Sequence, residues 1–459
     1  MSFSYESSKS NKLLILFTAL ILMIICGGVY NYYRLNSPGR VLNIYSWDSN
    51  FRNELAAYYP AYDPKTETIG DVKVNWITNQ NIDNLYQKNL DFALIGFDHQ
   101  NLNERIDMFL VEADYIRKYA ENDEYTMSLD ELGIHDDMLN DQFAYTKNLA
   151  RDNSGRLRAI SWQATPAVMI YRRDIAEKVL GSDDPEVVQE ASRDWEAFEK
   201  TAALMKDHGY HMLPGFFDTY RVFWASASAP WINNAGYIKL DKTMAQWLSI
   251  TKRFADEGYC CPNSLWDKDW NNQVQGDSFC YFGPSWLIYS SLEKLSHSEN
   301  GTGSDTYGKW AVCRGPVPFY WGGSWVCAYK NTDNAELVAD IIKTMCLNKE
   351  VLRRRVSEQA EFVNDREIMA AKAADVSQGV EFLGGQNPFG IMMQVAESIN
   401  TRQISAYDQG IHEAFQNNTR EYFMGIRDWD ETWQRFLATV WHSYPELQGV
   451  FFSHKFWLK

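Results

Sequence analysis

The sequence predicts an α/β fold with a mainly helical C-terminal part, and three observations carry that prediction. Strand-like and helix-like runs alternate from Val41 onward, strands run directly into helices again near residues 167 and 279, and helical patterns dominate from 335 to about Tyr444. Alternation at this spacing implies a parallel sheet with crossover connections. The 459 residues allow two or three domains, and 45% hydrophobic against 23% charged residues is ordinary globular composition.

In chain order, residues 1–40 hold an apolar segment and the linker LNSPGR. The first strand is VLNIYS (41–46), followed by a helix-like stretch (53–59), the strand VKVNWI (72–77), a short helical run and a third strand, DFALIGF (91–97). Ligands of parallel sheets bind beyond the carboxyl ends of the strands. Those ends carry Tyr45-Ser46-Trp47-Asp48 and Phe97-Asp98-His99-Gln100, polar–aromatic mixtures unlike the glycine turns that hold phosphates. A polar stretch (150–160) marks a boundary, and AVMIYRRDIAEKVLG (167–181) is a strand running into a helix. Asp194 caps the helix 195–209, which ends at a glycine. A short helix then holds Tyr220 and Trp224, and 241–258 is amphipathic. FCYFGPSWLIYSS (279–291) starts as a buried strand; Pro284 opens a helix at its first position, with Trp286 in the first turn. After a Gly/Ser/Asp loop (297–308) come the strands KWAVCR and SWVCAYK and the helix 335–347, and residues 445–459 form a tail.

The formal charge of −16 argues against nucleic acid as a partner, because phosphate binding needs a basic footprint. At the N-terminus no charge falls between Lys12 and Arg34, and Leu13–Ile25 has the length of a secretory apolar region. Lys9 and Lys12 favour an inside N-terminus. Three readings stay open: an uncleaved signal anchor, a lipoprotein lipidated at Cys26, and a cleaved, released chain. Ile25 stands where the lipoprotein pattern expects a small residue. All three place the bulk of the chain outside the cytoplasm, and the first two tether it to the outer face of the cell membrane. Seven cysteines are too few for a disulfide scaffold of this size. Cys313 and Cys327 lie on successive strand-like runs and are candidates for a bridge, with buried free thiols the alternative.

Motifs for catalysis and metals fail on inspection. GSDTYGKW (303–310) has Trp310 where a phosphate loop needs Ser or Thr, and DKDWNN (267–272) lacks the glycine of a calcium loop. His412-Glu413 has no second histidine at zinc-helix spacing, no Cys/His spacing suits a metal, and no Gly-x-Ser-x-Gly elbow occurs. The expectation is a binding protein with no cofactor, no metal and no catalytic residues. Aromatic residues make up 15% of the chain, including 17 Trp, and large amphipathic rings suit ligands with both apolar and polar faces.

Four segments carry a resemblance. They are the early strand ending in Trp47-Asp48, GRLRAISWQATPAVMIYRRDI, FCYFGPSW (with Ser285 inserted between Pro and Trp) and GGSWVCAYKNTDNAELVADIIKTM. In this order they resemble the extracytoplasmic sugar-binding proteins of bacterial ABC importers, the maltose-binding-protein-like family 1 of extracellular solute-binding proteins. The resemblance runs from about Val41 to Tyr444. It implies a periplasmic-binding-protein-like fold of two interleaved α/β lobes joined by hinge strands, with the ligand held in the cleft between them. Carried onto this chain, lobe one is 41–157 plus 292–347 and lobe two 158–291 plus 348–444. It implies a monomer that captures a carbohydrate, an oligosaccharide for choice, and hands it to the transmembrane subunits of an ABC permease.

The resemblance also nominates a site. Trp286 matches the position whose ring stacks on sugar, with Gly283 letting the backbone approach the ligand. Trp47 and Asp48 end the first strand, Asp98 and His99 follow the third, and Gln163 stands at the lobe crossing. Asp218, Tyr220, Arg221 and Trp224 fall where the family supplies second-lobe contacts. Trp321 and Trp325 flank a Gly-Gly-Ser turn, and Gln386 and Asn387 sit in a loop before a helix. Two other functions remain open: the same fold binding a polyamine or other cation, and a secreted glycosidase with two carboxylates about 5–10 Å apart.

Overall fold

A computed structural model describes residues 17–29, 41–80, 84–96, 104–121, 123–233, 236–297, 305–401 and 404–447. The chain divides into two compact units, Met1–Leu110 with Ala328–Ile341, and Val111–Cys327 with Ile342–Lys459. These units differ from the lobe bounds expected above, because 111–157, 292–327 and 342–347 belong to the second.

In the first unit VLNIYS forms the strand read from sequence, β1 (Val41–Ser46), with Leu42, Asn43 and Ile44 buried. The helix Asn50–Tyr58 follows, then a small antiparallel pair, β2 (Tyr62–Asp63) and β3 (Thr68–Ile69), and then β4 (Val72–Thr78). β1 and β4 run parallel from Val41 opposite Lys73 to Ser46 opposite Thr78. The next parallel partner of β1 is β5 (Met108–Glu112), with Ile44 opposite Met108. Asp107 ties this unit together. Its carboxyl accepts from the Asn43 backbone N–H at 2.7 Å, the Thr332 hydroxyl at 2.6 Å and the Asn334 amide at 3.0 Å. Burial pushes its pKa up to about 6 although each of those donors opposes the shift.

The run DFALIGF is not the third strand. Residues Leu85–Ile95 form a helix that buries Tyr86, Leu90, Ala93 and Leu94 while Phe92 and Ile95 stand 76% and 71% exposed. A continuous apolar run fits a buried strand and a helix equally well, and here the helical period decides. Asp98 and His99, expected at the end of that strand, lie outside the described residues.

The second unit is built on a fully buried strand. β6 (Ile160–Gln163) precedes β7 (Pro166–Arg172), every residue of which is buried. β7 pairs antiparallel with β8 (Cys280–Gly283), β9 (Trp310–Cys313) and β10 (Phe319–Tyr320). β11 (Ser324–Ala328) pairs antiparallel with β6, with a register irregularity between Ser324 and Trp325. Helices pack around this core with side-chain caps at their starts: Asp194 accepts from the Ala197 N–H at 2.8 Å and Asp241 from the Thr243 N–H at 2.8 Å. Each such cap is worth about 1 kcal/mol. Helices Lys349–Gln359, Arg366–Ala374, Phe389–Ser398, Asp408–Phe423 and Trp429–Ser443 make up the helical C-terminal part.

One open alternative is decided and two local expectations are revised. Cys313 and Cys327 do not bridge; all seven cysteines are free thiols, six buried and Cys26 exposed. Gly283 has an ordinary backbone, and the space it leaves is taken by Leu287, whose Cδ2 would lie 2.2 Å from an added Cβ. The glycine therefore serves strand-to-helix packing. Pro284 sits just before the short helix Ser285–Leu287, which continues as a π-helical segment, Ile288–Leu292. Residues 17–29 are helical, and among the described residues no helix is long and apolar enough to cross a membrane.

Candidate ligand site

A cavity of about 280 Å³ opens in the second unit, lined by Glu112, Phe217, Asp218, Tyr220, Arg221, Leu265, Trp266, Trp286, Phe319, Trp321 and Gln416. Three indoles wall it. Trp286 follows the β8 turn, Trp321 follows β10, and Trp266 lies in the loop after Pro262. The ring centroids are 5.1 Å apart for Trp286 and Trp321, 5.7 Å for Trp266 and Trp321, and 6.0 Å for Trp266 and Trp286. Trp286 and Trp321 meet at 72°, edge to face, so each keeps a ring face free of the other.

Backbone geometry sets these rings. Gly322 and Gly323 both have positive φ, 69° and 97°, which glycine adopts without strain. An added Cβ on Gly323 would fall 2.9 Å from the Thr165 hydroxyl and 3.0 Å from the Gln163 carbonyl, so the turn has no room for a side chain. Trp286 donates its indole N–H to the Trp321 carbonyl at 3.3 Å, which fixes one ring against the turn that carries the other. Trp266 has φ 70°, a left-handed conformation that costs a bulky residue roughly 1–3 kcal/mol. It is 47% exposed despite its apolar ring.

The rim is polar. Arg221 holds Asp114 through two parallel bonds, at 2.7 and 2.6 Å, and its guanidinium carbon lies 5.3 Å from the Trp321 ring centroid. Burial alone would raise the Asp114 carboxyl, but the Arg221 charge outweighs it and holds the group below the ordinary carboxylate range. Asp218 accepts the Trp270 indole N–H, at 3.0 and 3.2 Å to its two oxygens. Its burial still pushes the pKa up to about 8, so at neutral pH this carboxyl is mainly protonated and can donate as well as accept. Tyr220 forms part of the wall and hydrogen-bonds His412 behind it. Burial pulls His412 down to about 3, so its imidazole is neutral. Trp231 Nε1 can only donate and lies 3.1 Å from Nδ1, which makes Nδ1 the acceptor.

Of the residues nominated from sequence, Asp218, Tyr220, Arg221, Trp286 and Trp321 line this cavity together. None of the other nominated residues within the described part of the chain lines it. Trp47 meets Tyr86 edge-on at 5.6 Å and Asp48 accepts from the Asn50 N–H at 2.9 Å, both in the first unit. Gln163 lies opposite Ser324 at the end of β6. Trp224 is 8% exposed and stacks on Trp231 at 13°, a core contact. Trp325 is fully buried and donates its indole N–H to the Thr146 carbonyl at 3.0 Å. The Gln386 amide pairs both ways with the Val312 backbone at 2.7 and 2.8 Å. Asn387 donates to the Lys372 carbonyl at 3.0 Å and accepts from the Phe389 N–H at 3.0 Å. The last four do not face the cavity, because neighbouring rings or backbone groups already use them.

Glu112, Trp266, Leu265, Phe217, Phe319 and Gln416 were not anticipated. Glu112 was within reach: it ends β5, the true third strand, and the strand-end rule would have found it had 108–112 been read in place of 91–97. Trp266, a large ring in the polar loop PNSLWDKDW, also carried a signal.

No curated protein matches by sequence. Among solved structures, a protein described as an extracellular solute-binding protein family 1 aligns with a TM-score of 0.70 at 17% identity, over 87% of this chain and 98% of its own. The ABC transporter associated binding protein from B. animalis subsp. lactis Bl-04, solved with β-1,6-galactobiose, aligns at 0.63 and 18% identity over 90% and 98%. The galacto-N-biose-/lacto-N-biose I-binding protein of Bifidobacterium longum, solved with lacto-N-biose, aligns at 0.63 and 12% identity over 89% and 97%. These likenesses show a shared two-lobed α/β fold. The family described as bacterial extracellular solute-binding protein matches residues 65–373, more than half of the sequence, and the chain belongs to that family.

Proposed function

We propose that the chain is the solute-binding component of an ABC importer and captures a carbohydrate, an oligosaccharide for choice, for delivery to a membrane permease. The observation that carries this reading is the three-indole cavity with its polar rim. A sugar ring has an apolar C–H face, which stacks on indole, and a belt of hydroxyls, which needs donors and acceptors in balance. Arg221 and Gln416 supply donors, Glu112 supplies acceptors, and Asp218 can do either. An unmatched hydroxyl would leave buried groups unpaired at roughly 1–3 kcal/mol each, which is the source of selectivity. The disaccharides bound by the two bifidobacterial relatives support the ligand class. Binding without turnover fits the family, and the apolar segment behind Lys9 and Lys12 serves in this reading as an export signal and tether to the outer membrane face.

A polyamine is disfavoured by charge. The Arg221 guanidinium already occupies the cation position beside Trp321, and the Asp114 carboxylate is spent on Arg221. Calorimetry and thermal shift against β-galactobiose, lacto-N-biose, maltooligosaccharides and spermidine, with product analysis, test the proposal. A rise in melting temperature with a sugar recovered intact is the expected result. A response to spermidine alone, or hydrolysis of the sugar, would overturn it.

A further inference from the structure

Outside the aromatic cavity, among the described residues, two groups of side chains bring three potential metal-ligating atoms together. In the first, Asp141, Asp365 and Glu367 surround the Lys349 ammonium, which lies 2.6, 2.5 and 3.2 Å from their oxygens. A lysine ammonium already occupies the place a cation would take. The second is His211, Cys261 and Asp277, where one ring nitrogen, the Sγ and one carboxylate oxygen all lie within 4.8 Å of one another.

We propose that His211, Cys261 and Asp277 form a binding site for a zinc-class divalent cation. One imidazole, one thiolate and one carboxylate are a borderline-soft ligand set that suits Zn²⁺, with bonds of about 2.0–2.3 Å and a fourth position left to water. Tetrahedral geometry with such bonds sets ligand atoms about 3.3–3.8 Å apart. His211 Nδ1 and Asp277 Oδ1 already stand 3.2 Å apart, close to that edge. The three ligands come from separate segments bound side by side through their backbones. The His211 N–H donates to the Asp277 carbonyl at 3.0 Å, the Phe279 N–H to the His211 carbonyl at 2.8 Å, and the Cys261 N–H to the Leu213 carbonyl at 3.1 Å. The scaffold is therefore set before any ion arrives. Cys261 is buried while the His211 and Asp277 side chains are 29% and 45% exposed, so the thiol forms the floor and solvent reaches the open side. On binding, the thiol proton leaves to solvent, the His211 ring takes the tautomer with its proton on Nε2 so that Nδ1 is free to ligate, and the His211–Asp277 hydrogen bond gives way to two metal bonds.

The test uses the full chain, stripped with chelator and titrated with Zn²⁺ by calorimetry and with Co²⁺ by absorption. Expected are one cation per chain and a thiolate-to-cobalt charge-transfer band. Cys261→Ser abolishes the band, and Asp277→Asn weakens Zn²⁺ binding at least tenfold. The neighbouring buried thiol is the control: Cys260→Ser leaves both signals unchanged. Should Cys261→Ser fail to fold, Asp277→Asn and Cys260→Ser still decide. No binding by the folded wild-type chain, Co²⁺ bound without a thiolate band, or loss of the band in Cys260→Ser would each overturn the proposal. None of these readouts depends on sugar binding, so the two readings fail separately.

Discussion

Two aromatic clusters in the second unit use the same residue types for opposite ends. Trp266, Trp286 and Trp321 surround a cavity, whereas Trp224, Trp231 and Trp247 pack with Tyr220, Phe415 and His412 into solid core. Trp231 and Trp247 are 1% and 0% exposed. Trp231 also spends its indole N–H on a histidine held neutral by burial. In the first cluster one ring is half exposed on a left-handed backbone, and carboxyl, amide and guanidinium groups face the same space. Ring content does not distinguish a platform from a core. What does is whether polar groups converge beside free ring faces.

Substitutions can break this comparison. Trp231→Ala should cost about 3–5 kcal/mol of stability, as large core aromatics do, and would leave His412 without its indole donor; chemical denaturation measures it. A loss below 1 kcal/mol would mean that the second cluster is not core. Trp286→Ala should leave denaturation nearly unchanged and weaken sugar binding by about 2 kcal/mol, close to thirtyfold in Kd by calorimetry. The reverse pattern, unfolding with affinity spared, would assign Trp286 to packing.

A smaller effect concerns pH. Burial raises Asp218 to about 8, and Asp408, buried behind Ser405, also to about 8. In the unfolded chain both titrate near their ordinary values. Between those values and about pH 8 the folded state therefore binds more protons, and stability falls as pH rises, by at most about 1.4 kcal/mol per pH unit per group. Asp218→Asn should flatten this decline in urea melts between about pH 5 and pH 8. An unchanged slope would show that Asp218 does not stay protonated in the fold.

Much of the architecture was legible because local signals agreed with it. Asp194 announced its helix, the amphipathic stretch 241–258 showed another, and the strand starting near 167 and the helix at 335–347 were also readable. The failure at 91–97 came from an apolar run with no polar interruption, and it hid Glu112. Trp325, Gln386 and Asn387 show a second limit. Their residue types suit a ligand, but backbone groups claim them, at Thr146 and Val312 far away in sequence for the first two and at Lys372 and Phe389 nearer by for Asn387, and only the folded structure reveals such partners. The His211, Cys261 and Asp277 group was invisible for the same reason, since no linear spacing unites three separate segments.

The crowded glycine turn at 322–323 has an evolutionary consequence. Side chains are barred there, so the indole cluster beside it is locked by main-chain geometry and tolerates little drift. The rim is free of that constraint: Glu112 ends a strand, Arg221 sits on a five-residue helix and Gln416 on a long one. Each can be exchanged while the glycine turn keeps its backbone. A laboratory wishing to retarget this receptor should leave the indoles and the turn alone and diversify Glu112, Arg221 together with Asp114, and Gln416.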